Sequence, residues 1–267
     1  MKKLEFSEDE RYKKVRKANE LIQRARYKLS LQQQKIVLYL IAQISPFDAE
    51  FHTYELGIAD FCRVCGIDNP GGKDYAELRS QIKAIADKSM WLRLEDGSGT
   101  ALVRWIESPV IRENAGVIEL RLSEALRPYL LNLKSNFTQY DLIYTLHFKS
   151  KYSIRLYELV CSIHFRELDE YKRRFSLDEL QRLLDCESYK EYKDFRRYVL
   201  EKAIDEINDW SDKTLSYCPL KKGRFVIGIE LTITTKGPLE RLRVLSRIDA
   251  EMGVLEGQTS LFQEFDP

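Results

Sequence analysis

The sequence predicts an α+β fold in which one unit, helices followed by a β-hairpin, occurs twice. Apolar residues recur at helical spacing over residues 74–89 and again over 189–209, and a shorter helix precedes each of these segments. After both, the period changes to the alternation of half-buried strands, as at Ile118, Leu120 and Leu122. Elements in the same order twice indicate two domains of one architecture.

The first copy is delimited by capping and stop signals. Ser30 is a suitable N-cap for a helix over 30–44, Gln33 completes a capping box with it, and Pro46 ends the helix. The other elements predicted for this copy are helices over 19–26, 58–65 and 74–89 and strands over 91–95, 101–107 and 118–122.

The second copy follows the same order. Ser176 and Glu179 predict a capping box at the start of a short helix over 176–184. Its other predicted elements are helices over 151–165 and 189–209, strands over 214–218 and 227–233, and a turn over 221–224. Apolar residues match between the two long helices, namely Tyr75, Leu78, Ile82 and Ala86 in the first and Tyr192, Phe195, Val199 and Ala203 in the second.

Three helices followed by a β-hairpin is the plan of a winged helix, a helix-turn-helix with a strand pair appended. We therefore predict two tandem winged-helix domains, over residues 19–135 and 136–236, with the connection at 132–149. Residues 1–18 are polar and predicted to be flexible. Residues 237–267 are predicted to form a helix and an acidic, flexible tail.

Charge is nearly balanced over the 267 residues, with 43 basic and 42 acidic side chains. Five of the acids lie between Asp249 and Pro267, where there is no Lys or Arg, so the rest of the chain is mildly basic. This distribution is compatible with nucleic-acid binding. With no export signal and no apolar run long enough for a bilayer, we expect a cytoplasmic protein with reduced cysteines and no membrane partner.

No arrangement of residues predicts catalysis. His52, His147 and His164 stand far apart, so they form no metal site of the kind that a DNA-nicking tyrosine enzyme needs. Cys62 and Cys65 have no second pair to complete a zinc site and are interpreted as buried thiols. The loop over 66–74 lacks the spacing and the Ser or Thr of a phosphate-binding loop. We expect no enzyme activity, no cofactor and no metal.

The helix over 189–209 takes the position of the recognition helix, which enters the major groove of DNA. Arginine can bind guanine through two hydrogen bonds, and lysine can neutralise phosphates. The basic residues that its apolar face leaves for DNA are Lys190, Lys193, Arg196 and Arg197, and the wing turn adds Lys221, Lys222 and Arg224.

The alternative is that these side chains are solvated charges that pair with Glu191, Asp194 and Glu201. The repeated architecture together with a basic wing free of acids favours DNA. In the first copy, the corresponding helix offers Lys73, Arg79, Lys83 and Lys88. Its hairpin tip over 96–99 is acidic and glycine-rich, so we interpret that domain as the weaker DNA contact and a candidate protein–protein surface.

Three segments, at 27–40, 137–158 and 203–224, resemble the initiator Rep proteins of iteron-containing, theta-replicating plasmids. The resemblance covers residues 19–234. It implies that the C-terminal domain is the main reader of repeated origin sequences (iterons) in double-stranded DNA, and that the N-terminal domain supports homodimerisation. It also implies that a dimer represses its own gene and a monomer opens the origin, with Lys151 and Arg155 as weaker DNA contacts.

The segment Gln258-Thr-Ser-Leu-Phe262 resembles the short peptide with which bacterial replication proteins bind the sliding clamp. Leu261 and Phe262 would be its apolar anchors and Gln258 its polar one. A five-residue motif of loose consensus also arises by chance, so both interpretations stand. Host replication proteins, the clamp included, are therefore candidate partners.

A winged-helix transcription regulator with no replication role is the alternative function, because it shares every residue argument above. A rolling-circle nickase is a third hypothesis, which the missing metal site disfavours.

Overall fold

Two helix-and-hairpin units follow one another in the computed structural model, which describes residues 2–3, 11–57, 72–93, 97–112, 115–164 and 170–251. The elements of the first unit are β1 (Lys2–Lys3), β2 (Lys14–Ala18), α1 (Asn19–Gln23), α2 (Leu31–Ala42), β3 (Tyr54–Gly57), α3 (Gly72–Asp87), β4 (Ser89–Arg93), β5 (Thr100–Arg104), β6 (Ile106–Arg112), β7 (Val117–Leu122) and α4 (Arg127–Leu130). The predicted helix over 58–65, with Cys62 and Cys65, lies outside the described residues.

A strand and a helix, β8 (Phe137–Asp141) and α5 (Leu142–His147), lead into the second unit. Its elements are α6 (Lys151–Ile163), β9 (Glu170–Ser176), α7 (Leu177–Leu184), α8, β10 (Lys213–Lys222), β11 (Phe225–Thr235) and α9 (Pro238–Glu251). Helix α8 consists of three consecutive segments, Tyr192–Phe195, a π-helical turn Arg196–Leu200, and Glu201–Trp210. Thus the predicted order of helices and hairpin is confirmed for this unit.

Local capping signals start the helices where the sequence predicts, with a complete capping box at α2 and, among the described contacts, only its serine half at α7. Ser30 Oγ accepts a hydrogen bond from the backbone N–H of Gln33, whose side-chain oxygen accepts from the N–H of Ser30 at 3.0 Å. At α7, Ser176 Oγ accepts from the N–H of Glu179 at 3.1 Å. Both contacts satisfy N–H groups that a helix leaves without a partner at its first turn.

The strands of the described residues form four sheets. In the first unit, one sheet has the order β1-β3-β7-β6 and β4 pairs with β5, so the predicted strand over 101–107 is in fact divided at Trp105 between β5 and β6. In the second unit, the hairpin β10–β11 is joined by β9, giving the order β10-β11-β9. The sequence analysis missed β9, which places Ser176 opposite Gly228.

The expectation that residues 1–18 are flexible is wrong for residues 14–18. They form β2, which pairs antiparallel with β8, another strand that the sequence analysis missed within the predicted connection. Side chains of β2 alternate between solvent and core, and both Val15 and Lys17 are buried. The segment is ordered because it pairs with β8. The pairing was not predicted because the two strands are more than a hundred residues apart in the sequence.

Helix α6 lies at the centre of the molecule. It packs against α1, α2 and β8 on one side and against α7 and α8 on the other. The buried side chains therefore form one continuous core from Val15 to Ile248 that both units share. Within the described part of the chain, no helix has both the length and the apolar character that crossing a bilayer requires.

Candidate nucleic-acid interface

Helix α8 is anchored by its apolar face and presents its first turns to solvent. Phe195, Val199 and Leu200 are fully buried. Two hydrogen bonds to Gln181 of α7 hold the turn before the helix in place. Gln181 Nε2 donates to the carbonyl of Tyr189 at 2.7 Å, and the N–H of Cys186 donates to the carbonyl of Gln181 at 2.9 Å. The first turns of α8 are consequently held in a fixed orientation, as a recognition helix requires.

All four basic residues predicted on this helix and the turn before it are exposed, namely Lys190, Lys193, Arg196 and Arg197. Arg196 Nε lies 3.4 Å from the carboxylate of Glu201, which also accepts a hydrogen bond from the hydroxyl of Tyr217. The guanidinium of Arg197 lies 5.3 Å from the ring centroid of exposed Tyr198. The predicted pairing with acids therefore concerns Arg196, whereas no described acid forms an ion pair with Arg197.

The wing is the hairpin β10–β11, whose turn contains Gly223 at φ +61°. A positive φ favours glycine because it has no Cβ to clash with the backbone. The predicted wing cations Lys221, Lys222 and Arg224 are all exposed, and no ion pair between them and the described acids is present. The guanidinium of Arg224 lies 5.0 Å from the ring centroid of Phe225.

Arg155 was predicted as a DNA contact, and this prediction is wrong. The side chain is buried, one guanidinium nitrogen donates to the carbonyl of Leu183 at 2.9 Å, and the group lies 4.3 Å from the ring centroid of Tyr27. It joins α6 to the end of α7. Lys151, by contrast, is partly exposed, 3.9 Å from Asp185 and 4.9 Å from the ring of Tyr152.

In the first unit, Arg79 and Lys83 are exposed on α3, and Lys83 forms a 2.6 Å ion pair with Asp87. The side chain of Lys73 lies outside the described residues. The hairpin β4–β5 instead exposes apolar surface, because Trp91 and Leu102 are direct cross-strand neighbours with 62% and 58% of their side chains exposed.

Lys88, which directly follows α3, is close enough to the second unit to interact electrostatically with Lys151. Burial and the neighbouring Lys151 lower the pKa of Lys88, and its ammonium donates to Gln33 Oε1 at 2.6 Å. Burial raises the pKa of Asp185, while Lys151 and Lys28 act in the opposite direction. Lysines from both units thus interact electrostatically with a single carboxylate, and Lys151 lies 3.9 Å from it. This grouping was not predicted because the residues are distant in the chain.

The sequence analysis also missed a basic strand. Lys172, Arg173 and Arg174 are exposed on β9, beside the wing strand β11. Lys172 pairs with Glu170 and Arg174 with Glu230, whereas Arg173 lies 5.7 Å from the ring of Phe175. The run of three basic residues was the available signal, but its strand was not predicted.

Within the described part of the chain, no group of three or more His, Cys, Asp or Glu residues could hold a metal ion. Burial raises the pKa of the Cys161 thiol well above its ordinary value. The half-buried Cys161 thiol is therefore protonated at neutral pH.

An exposed basic helix that follows a helix-turn, together with a basic hairpin, defines a winged-helix protein of the nucleic-acid-binding class. The family description "Initiator Replication protein, WH1" matches residues 14–161, and "Initiator Rep protein, WH2" matches residues 176–233. The chain belongs to this family of replication initiators, and its two tandem winged-helix domains are confirmed. The first match extends beyond the domain boundary predicted at residue 135.

Two relatives from Escherichia coli are similar in sequence. A replication initiation protein is 26% identical over 207 residues, which are 75% of this chain and 64% of the relative. An uncharacterized 27.6 kDa protein is 24% identical over 229 residues, which are 81% of this chain and 93% of the relative. The chain thus spans just under two thirds of the length of the first of these relatives.

Among solved structures, the crystal structure of the Pi initiator protein in complex with iteron DNA matches with a TM-score of 0.69. The two sequences are 20% identical, and the match covers 85% of this chain and 98% of the other. At this identity the similarity establishes the fold.

Proposed function

We propose that this protein is a plasmid replication initiator that binds iterons in double-stranded DNA through α8 and the wing. The observation that carries the proposal is that Arg196 and Arg197 lie exposed at the start of a rigidly anchored recognition helix. Membership of the initiator family supports the replication role. The Pi initiator, which shares this fold, has been solved bound to iteron DNA, and this also supports the proposal.

Each element of the surface has a distinct task in this proposal. Arg197, free of acids among the described residues, binds a guanine edge, and Arg196 does so after leaving Glu201. Lys190 and Lys193 contact phosphates beside the groove, and the wing cations follow the neighbouring backbone. Lys28, Lys88 and Lys151 provide a further phosphate contact where the two units meet. DNA binding of this kind requires no cofactor, and we place the protein in the cytoplasm with its plasmid.

The test removes the two arginines that read bases. We expect Arg196→Ala with Arg197→Ala to lower the preference for iteron over random DNA by about 10-fold per arginine, because each loses a two-bond contact with guanine. The measurement is titration of both DNAs at several salt concentrations. The site would be selected by the protein from a random library.

The matched control is Arg241→Ala with Arg243→Ala on α9, which removes the same charge from another exposed helix. This variant should keep the sequence preference. If the α8 double variant prefers its site as strongly as the control does, α8 is not the reading helix.

A transcription regulator of the same fold would also bind DNA through α8. A plasmid-maintenance assay distinguishes a replication initiator from a transcription regulator. A plasmid that carries the selected repeats and has no initiator of its own should be maintained in cells only when this protein is supplied. Specific binding without plasmid maintenance would favour the regulator.

We also propose that the protein self-associates through the hairpin β4–β5 and represses its own gene as a dimer, while the monomer opens the origin. The cross-strand pair Trp91 and Leu102 supports this, because two large apolar side chains are exposed side by side. Trp91→Lys should shift the protein towards monomer in analytical ultracentrifugation. Leu239→Lys on α9, which replaces a side chain that is 72% exposed, is the control and should not. Identical sedimentation of all three proteins would exclude this surface.

Two further expectations complete the proposal. We propose that the protein is not an enzyme, and supercoiled iteron DNA incubated with it and Mg²⁺ should show no relaxed circles attached to tyrosine.

We also propose that Gln258, Leu261 and Phe262, which lie outside the described residues, bind the sliding clamp. Replacing Leu261 and Phe262 with Ala should abolish retention of the protein on immobilised clamp without changing DNA affinity.

A further inference from the structure

The tip of the wing carries exposed apolar side chains between its cations. Phe225 is 63% exposed and Ile227 is 51% exposed, although both lie on a strand whose later residues Ile229 and Leu231 are fully buried. The hairpin register explains the change. Leu220 lies opposite Gly228 and Lys221 lies opposite Val226, so β11 has one extra residue, Ile227, at a β-bulge.

The bulge separates the hairpin into two parts. Below it, β11 packs on the core of the domain and is covered by β9 along its other edge, up to Gly228 opposite Ser176. Beyond it, the register of β11 with β9 ends, and the tip with Phe225 projects past the sheet. Phe225 therefore contributes nothing to the core of its own domain.

The charges around Phe225 indicate the kind of partner that its ring contacts. Lys222 lies directly opposite it in the hairpin, Lys221 is adjacent, and the guanidinium of Arg224 lies 5.0 Å from its ring centroid. None of these three cations forms an ion pair with an acid of the described chain. A protein-docking patch would be expected to have fewer cations at its centre, whereas an aromatic ring surrounded by three cations fits a polyanion with an apolar interior.

We propose that Phe225 is an apolar wedge that enters the minor groove beside the site read by α8 and partly unstacks one base step, bending the DNA. The inference rests on the proposed DNA-binding function and adds a structural consequence to it. Lys221, Lys222 and Arg224 hold the phosphates on either side, and Ile227 covers the sugar edge behind the ring. Apolar side chains that insert between base steps are a known cause of DNA bending towards the major groove.

The wedge predicts sequence preference at positions that make no hydrogen bond with the protein. Pyrimidine–purine steps unstack more readily than others, so the protein should favour such a step at the position of the wing. This preference should disappear when the side chain is truncated in Phe225→Ala. Preferences at the base pairs contacted by α8 should remain.

Two optical measurements test the wedge on the site that the protein selects from a random library. The fluorescent base 2-aminopurine, placed in turn at each step under the wing, brightens when it is unstacked. Energy transfer between dyes at the two DNA ends reports the bend. The wild-type protein should brighten one step and bend the DNA by about 20–90°, and Phe225→Ala should remove most of both signals.

Two variants serve as controls. Lys222→Ala removes a cation from the same tip, and it should lower the slope of affinity against salt by about 1 while both optical signals persist. Phe225→Leu keeps an apolar wedge and should retain most of the bend. Because both positions are exposed, none of these three variants should lower the thermal stability of the protein.

The outcomes are separable. Iteron binding by the wild-type protein with no brightened step, or brightening that persists in Phe225→Ala, would overturn the wedge and leave the proposed function intact. No preference of the wild-type protein for any selected site would overturn both. Loss of plasmid maintenance in Phe225→Ala with unchanged DNA bending would instead identify the tip as a protein-docking surface and also overturn the wedge.

Discussion

Gly228 of β11 lies opposite Ser176 of β9, with no room for a side chain. A Cβ atom at this position would be 2.5 Å from the carbonyl oxygen of Phe175 and 3.4 Å from its carbonyl carbon. Because these are backbone atoms of a paired strand, the sheet itself must move to accept any side chain. The absence of a Cβ at Gly228 therefore allows β9 to pair with β11 at this position.

We expect Gly228→Ala to lower the free energy of unfolding by about 1–3 kcal/mol, the usual cost of inserting a methyl group into a packed site. Urea denaturation followed by circular dichroism measures it. Gly237→Ala is the control, because the nearest atom to its Cβ would be Glu240 Oε2 at 4.0 Å. Equal stability of the two variants would contradict the close contact.

Residue type alone does not predict whether an arginine is exposed or buried. Arg155 and Arg197 were both predicted as DNA contacts, yet the first is buried against Tyr27 and the second is exposed. The exposure of Arg197 was predicted correctly because α8 has one clear apolar face. Arg155 lies on α6, which is enclosed by both units, so even its polar positions are covered, and periodicity within α6 does not reveal that.

At the scale of elements, strands formed by sequence neighbours were predictable and strands formed by distant partners were not. The hairpin β10–β11 shows alternation and a turn between its strands, both readable in the sequence. Strand β2 finds its partner in β8, and β9 is a charged edge strand with three consecutive basic residues. Composition alone assigns such segments to loops.

Helix α9 shows how a peripheral element is held on the body of the protein. The ring centroid of His147, at the end of α5, lies 3.8 Å from that of Trp210, and Arg247 of α9 lies 4.3 Å from the same Trp210 ring. His147 Nε2 also lies 3.2 Å from the carboxylate of Glu251. Burial lowers the pKa of His147, and its attraction to Glu251 opposes this shift without reversing it.

This arrangement predicts a pH dependence. The unfolded chain binds a proton at His147 more readily than the folded protein, so the stabilisation is complete above the ordinary histidine pKa of about 6.5 and decreases as the pH falls below it. One such group contributes at most about 1.4 kcal/mol per pH unit. We expect the loss of unfolding free energy between pH 7.5 and 5.5 to be smaller in His147→Gln than in the wild-type protein. Equal losses would show that His147 is not the responsible group.

At the scale of the whole molecule, the two winged helices are not independent bodies, because they share α6. The order of elements predicted two units, but it did not predict their common core, which depends on how α6 is enclosed. The N-terminal strand takes part in this junction. Lys17 of β2 donates to Glu158 of α6 at 2.6 Å, and both side chains are almost completely buried, at 2% and 1% exposure.

The junction contains further groups that depend on Glu158. The hydroxyl of Tyr140 on β8 donates to the same carboxylate at 2.5 Å, and burial together with that carboxylate raises the pKa of Tyr140, so it remains a donor. Lys17 Nζ also lies 5.9 Å from the ring centroid of Trp105 in the first unit. The carboxylate of Glu158 thus connects three elements, namely β2, β8 and the central helix α6.

We expect Glu158→Ala to lower the free energy of unfolding by about 3–5 kcal/mol, because it leaves the ammonium of Lys17 buried without its partner. Asp141→Ala is the matched control, since Asp141 of β8 pairs with Lys14 of the same strand β2 but at the solvent-exposed surface, where such a pair contributes about 0–1 kcal/mol. Replacing Lys17 with Met and Glu158 with Leu together should recover much of the loss, because no charge is then left unpaired in the core. Urea denaturation of the four proteins measures these differences. If Glu158→Ala costs no more than Asp141→Ala, the buried pair stabilises the packing of β2 on α6 no more than a solvent-exposed pair would.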